Sequence, residues 1–96
     1  MENNLSLNKI SAAAKTLKVL SHPVRLKVVE FLESGEKNVG SIRDYINLEQ
    51  AVTSQHLKLM YMNGLLKKRR DGNFIYYSIN NDILKGILTC VRDCKN

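Results

Sequence analysis

No stretch of this 96-residue chain approaches the 18 or so consecutive apolar residues that a membrane-spanning helix requires. Residues Met1 to Ser11 are polar and hold no apolar signal core, so a cytoplasmic protein without a membrane partner is expected. Only two cysteines are present, too few for a disulfide scaffold. A nucleophile with its base and orienting acid, a glycine-rich phosphate loop and a metal-ligand constellation are all missing, which argues against an enzyme and against a cofactor. Internal repeats and low-complexity stretches are absent too. What is left is one domain spanning residues 1–96, of a size at which a single core is only marginally stable and a second subunit supplies extra burial.

Acidic residues are scarce in the second half. Residues 1–50 carry seven Lys/Arg against six Asp/Glu, whereas residues 51–96 carry eight against three. Four of those eight are consecutive: Lys67, Lys68, Arg69 and Arg70. Clustered positive charge is the footprint of polyanion binding, although a bare charge run is also compatible with a solvated strand end.

The run from Gln50 to Ile79 organises the rest. On a helix from Gln50 to Asn63, Val52, His56, Leu59 and Met60 fall on one side, and Ala51, Ser54, Gln55 and Lys58 on the other. The second face is small, polar and basic, as a helix lying against a DNA groove requires: Gln55 can meet a base edge and Lys58 a phosphate. Gly64 ends the helix as a residue that tolerates positive φ. The basic tetrad then leads into Asp71-Gly72, read as a type I′ hairpin turn, and Phe74 to Ile79 form the return strand. Helix, glycine and basic hairpin in that order describe a winged helix-turn-helix, with a recognition helix at about 50–63 and a wing at about 65–79.

Upstream, Ile10, Ala13, Ala14, Leu17 and Leu20 mark a first helix from about Leu7 to Leu20, whose small-residue stripe suits close packing or a dimer surface. Ser21-His22-Pro23 ends it and starts a second helix with Val24, Val28, Phe31 and Leu32 on its buried side. A third helix is expected from about Gly40 to Ile46, followed by the turn Asn47-Leu48-Glu49, where Asn47 can adopt a left-handed conformation. His22 and His56 read as scaffold histidines in preference to metal ligands. Asn80 caps a last helix to about Cys94, striped with Ile83, Leu84, Ile87, Leu88 and Val91.

Four blocks in order resemble the arsenic-repressor (ArsR/SmtB) family: Leu20-Ser21-His22-Pro23-Val24-Arg25-Leu26, Ser54-Gln55-His56-Leu57-Lys58, Asn63-Gly64-Leu65-Leu66, and Asp71-Gly72 with Tyr76-Tyr77-Ser78-Ile79. The resemblance covers about Ile10 to Cys94. It implies a mainly α (α+β) winged helix-turn-helix of four helices, a two-stranded wing and a fifth helix, with the first and fifth helices forming a homodimer interface. It also implies a repressor that binds double-stranded DNA at a palindromic operator until an inducer arrives. Carried over by position, Gln50, Ala51, Ser54, Gln55 and Lys58 would face DNA; Thr53 on the same helix is counted with them as DNA-binding, and Lys67, Lys68, Arg69 and Arg70 are expected on backbone or minor groove. A winged-helix protein-interaction adaptor, or a family member with no sensing site, is the alternative; the adaptor would take an acidic protein partner and show no preference among duplex sequences.

The sensing sites depart from the family pattern. A Cys-x-Cys pair on the third helix is replaced by Asn38 and Gly40, and no histidine follows His56, so neither familiar metal site can be assembled. Relatives that sense through thiols usually place one cysteine on the second helix, which has none here. Cys90 and Cys94 remain, four apart on the last expected helix. Two readings of the pair stand side by side: small apolar fillers near a helix end, or a redox or soft-metal switch acting across a dimer.

Overall fold

The computed structural model describes residues 7–80. The expected fifth helix, with Cys90 and Cys94, lies outside the described residues. Within them the order is α1 (Leu7–Leu20), α2 (Pro23–Leu32), β1 (Lys37–Asn38), α3 (Val39–Ile46), α4 (Gln50–Met62), β2 (Leu66–Asp71) and β3 (Phe74–Ile79).

Each boundary has a local cause. Pro23 opens α2 in the first turn, where its missing N–H costs nothing, and the Nδ1 of His22 caps that helix by accepting from the Val24 N–H at 3.2 Å. Asn38 caps α3 through its side-chain oxygen, which accepts from the Ser41 N–H at 2.8 Å. Asn47 closes α3 in the left-handed region (φ 58, ψ 49), as its side chain allows. α4 ends at Met62, and Gly64 follows with φ 79, the left-handed position that a glycine takes most easily.

The sheet is three-stranded and antiparallel, in the order β1-β3-β2. A third strand was not expected from the sequence. β1 is two residues long, too short for an alternating pattern, and Asn38 serves both as its end and as the cap of α3. The hairpin turn also sits one residue later than Asp71-Gly72 suggests. Asp71 pairs with Phe74, so the two connecting residues are Gly72 and Asn73, and only Gly72 has positive φ (63). A type I′ turn needs positive φ at both positions, so the turn is not type I′.

Among the described residues the core is one cluster drawn from all four helices and from the sheet. Val28, Ile42 and Met60 are fully buried, with Leu57, Leu65, Val29, Leu32 and Leu66 beside them. Among the residues of α1 whose burial is described, Val19 and Leu20 join that cluster, and Leu17 is 53% exposed. Phe31, expected on the buried side of α2, is half-buried and stacks on Tyr45 of α3 with ring centroids 4.2 Å apart.

Candidate nucleic-acid interface

Burial fixes which way α4 faces. Its inner stripe is Thr53, Leu57 and Met60, with His56 half-buried. Val52 and Leu59, expected inside, are each 37% exposed. The apolar character of those two residues pulled the sequence-based wheel round by less than the 100° that one residue turns. The outer face keeps the expected composition: Gln50, Ala51, Ser54, Gln55 and Lys58 are all exposed.

Thr53, expected among the DNA-facing residues, is instead 0% exposed and sits under the helix, where no DNA can reach it. Its Oγ1 is buried and has no hydrogen-bond partner among the described residues. A buried hydroxyl left unpaired costs about 1–3 kcal/mol of desolvation. Thr53→Val keeps the branched shape and removes the unpaired group. Chemical denaturation should therefore show the variant more stable by about 1 kcal/mol, and a loss of stability would show that the hydroxyl is satisfied in solution.

His56 ties α4 to the start of α2. Its Nδ1 accepts from Arg25 Nε at 3.3 Å, and Arg25 Nη1 donates to the Val19 carbonyl at 3.1 Å. The ring of His22 meets the ring of His56 edge-on, with centroids 4.8 Å apart. One cluster thus joins the end of α1, the cap of α2 and the middle of α4. Both histidines are scaffold, as the sequence suggests, because each spends its Nδ1 on a structural hydrogen bond. Partial burial, then the neighbouring His22 and Arg25, hold the His56 pKa below its ordinary 6.5. A histidine with a lowered folded pKa binds fewer protons folded than unfolded in the window between the two values. Its contribution to stability is therefore complete above about pH 6.5 and is lost as the pH falls through that window. Urea midpoints between pH 7.5 and pH 5 should fall less steeply for His56→Gln than for the parent chain; equal slopes would contradict this.

The wing does not present its four cations as one cluster. Alternation along β2 puts Lys67 and Arg69 on one face, opposite Ser78 and Tyr76, and Lys68 and Arg70 on the other, opposite Tyr77 and Ile75. Arg69 is engaged: its Nε donates to both Glu36 carboxylate oxygens at 3.2 Å, its Nη2 donates to Glu36 Oε1, its Nη1 lies 3.7 Å from Asp71, and its guanidinium covers the Tyr76 ring at 4.7 Å. Hydrogen bonding to Arg69 in turn pulls the Glu36 carboxyl below its usual pKa. Lys68 rests its ammonium 4.4 Å from the centre of the Tyr61 ring of α4, and Arg70 Nε reaches the Gly72 carbonyl at 3.4 Å. Among the described residues, no acid pairs with Lys58, Lys67, Lys68 or Arg70.

A cleft of about 300 Å³ separates the start of α4 from the wing tip, with Gln50 and Ser54 on one wall and Asn73, Phe74 and Ile75 on the other. Phe74 is 57% exposed there. Three contributors escaped the sequence reading. Glu36 lies 33 residues from Arg69, so no local pattern joins them. Phe74 looked like an ordinary strand aromatic. Arg43 was counted only as charge, yet its Nη1 donates to Gln50 Oε1 at 3.1 Å across the helix-turn-helix turn. The seven-residue spacing over a tight turn was the one available signal.

Residues 22–68 match the family model described as "Bacterial regulatory protein, arsR family". The chain is 37% identical over 89 residues to the transcriptional repressor PagR of Bacillus anthracis, covering 92% of this chain and 89% of PagR. The chain belongs to the arsR family. The arsenical resistance operon repressor of Staphylococcus aureus is 33% identical over 72 residues, which is 75% of this chain and 69% of that one. Among solved structures, the repressor PagR superposes with TM-score 0.80 at 38% identity, covering 90% of this chain and 99% of that one. The transcriptional repressor BigR from Xylella fastidiosa gives TM-score 0.83 at 30% identity over 93% of each chain. The fold is thus the winged helix of arsR-family regulators, mixed α+β with a three-stranded antiparallel sheet. Members of this family are DNA-binding transcriptional regulators and not enzymes. No described helix is long and apolar enough to cross a membrane.

Proposed function

We propose that this arsR-family chain is a homodimeric transcriptional repressor that reads a palindromic operator. α4 of each protomer lies in the major groove, and the β2–β3 wing lies on the backbone or in the minor groove. The observation that carries this reading is the outer face of α4: Ala51, Ser54, Gln55 and Lys58 are exposed while the same helix buries Thr53, Leu57 and Met60. A short side chain at Ser54 permits close approach, Gln55 offers both a donor and an acceptor, and Lys58 meets phosphate. The relatives named as repressors favour repression over activation. Exposed Leu17 on α1 favours a partner subunit over that helix.

The test is selection of bound duplexes from a random pool, with the mass of the complex measured by sedimentation. Expected is an inverted repeat whose half-site centres lie about one helical turn, roughly 10 bp, apart, bound by two protomers. Enrichment of a single non-repeated site by one protomer would contradict the dimer.

Glu36 moderates the wing. Glu36→Gln removes the closer of the two carboxylates on Arg69 and leaves Asp71 at 3.7 Å, so duplex affinity should rise and the slope of log affinity against log salt should steepen by less than about 0.9 per protomer. An unchanged slope would place Arg69 away from phosphate.

Release by an inducer belongs to the same proposal. The third-helix metal position is unavailable, because Asn38 spends its side chain on the α3 cap and Gly40 has no ligand. Cys90 and Cys94 supply the candidate thiol switch. Cys90→Ser and Cys94→Ser variants are expected to hold DNA under oxidants that release the parent chain; release identical to the parent's would rule the pair out.

A further inference from the structure

The Gln50 amide is held by chemistry that leaves one orientation. Arg43 Nη1 lies 3.1 Å from the amide. A guanidinium has five N–H donors and no acceptor, so the atom facing it is Oε1, and Nε2 is the free end. The guanidinium is itself held, since its Nε and Nη2 reach Asp44 Oδ1 at 3.4 and 3.3 Å. Arg43 is further anchored at the helix-turn-helix corner, where its carbonyl accepts from the left-handed Asn47 N–H at 2.8 Å. Among the described residues, nothing accepts from Gln50 Nε2. Gln50 is the first residue of α4, is exposed, and forms the cleft wall facing Asn73 and Phe74.

An unrestrained glutamine reads adenine, because its amide places a donor and an acceptor side by side against N7 and the N6 amino group. Here the acceptor is turned toward Arg43, and a positive guanidinium stands beside it. Together the two side chains form a donor-rich surface, in which Oε1, the one acceptor, already takes a hydrogen bond from a cation. Guanine, with N7 and O6 as adjacent acceptors, is the base edge that such a surface fits; the amino groups of adenine and cytosine are repelled. We infer that Arg43 is a positioning residue that sets base preference through Gln50, turning a residue type that ordinarily selects adenine into one that selects guanine. This rests on the reading that α4 enters the major groove.

The experiment is duplex selection from a random pool by the full chain and by Gln50→Ala, Arg43→Met and Arg43→Lys variants, each checked for helical content by circular dichroism. Gln50→Ala locates the position, as the one in each half-site that becomes degenerate. The parent chain is expected to select guanine there by roughly tenfold. Arg43→Met frees Oε1, and the same position should move to adenine with every other position unchanged. Arg43→Lys restores a donor against Oε1 and should keep guanine even if Arg43→Met folds poorly. Adenine in the parent chain, or an unchanged position in Arg43→Met, overturns the inference while leaving DNA reading intact. A Gln50→Ala variant that selects the parent sequence in full also overturns it, by removing Gln50 from base contact. Failure of the parent chain to enrich any duplex overturns the major-groove reading itself.

Discussion

Ser54→Glu is expected to weaken binding to the selected duplex by at least about 100-fold. Ser54 is exposed on the outer face of α4 and shares the cleft wall with Gln50, so in the proposed complex it lies close to the DNA. A carboxylate there brings like charge against phosphates, a mismatch that costs several kcal/mol at a close interface, and each 1.4 kcal/mol is a factor of ten. Glutamate is a good helix former, and Ser54 contributes nothing to the buried cluster, so helical content and the denaturation midpoint should stay near those of the parent. Fluorescence anisotropy with a labelled duplex separates the two effects. Ser54→Ala provides the contrast, because it keeps the approach close and should change affinity by less than about tenfold. A Ser54→Glu variant that binds like the parent would move the interface off this face of α4.

The second large effect is on stability. Leu57 is 1% exposed and lies among the buried side chains of the core, so Leu57→Ala leaves a cavity that the surrounding helices cannot fill. Buried Leu→Ala changes cost about 2–5 kcal/mol, a large share of the 5–15 kcal/mol that holds a typical domain folded. Urea denaturation at matched protein concentration should show a loss in that range; matching matters because a dimer's stability depends on protomer concentration. Leu57 also sets the orientation of α4. DNA affinity should therefore fall in Leu57→Ala at temperatures where the variant is still folded. A loss below about 1 kcal/mol would mean that the core is less closely packed than these burials indicate.

Much of the frame was legible because its signals are local. Pro23, Asn47 and Gly64 each impose a backbone preference that needs no tertiary partner, and each marks the boundary expected of it. The outer face of α4 was legible because Ala51, Ser54, Gln55 and Lys58, all small, polar or basic, recur at helical spacing. Signals that depend on distance were not legible. β1 exists only because β3 comes alongside Lys37 and Asn38, and no two-residue pattern announces that. Thr53 failed as a site residue because it is buried against the rest of the fold, and lying on the reading helix does not by itself say which face a residue takes. The tetrad Lys67 to Arg70 read as one patch, since net charge is blind to strand alternation and to the remote Glu36 that takes Arg69. Arg43 and Gln50 show the same limit in a useful form: the turn that joins them was visible, but the hydrogen bond across it needed coordinates.

Affinity for the selected duplex and for a scrambled duplex, titrated from 50 to 200 mM salt, tests whether α4 and the wing form a sequence-reading polyanion interface. If each protomer neutralises about three phosphates, log affinity should fall with log salt at a slope near −5 for the dimer. The selected duplex should also bind at least about 1,000-fold tighter than the scrambled one at every salt concentration. A flat salt dependence with equal affinity for the two duplexes would contradict the account and leave the winged helix as an adaptor for a protein partner.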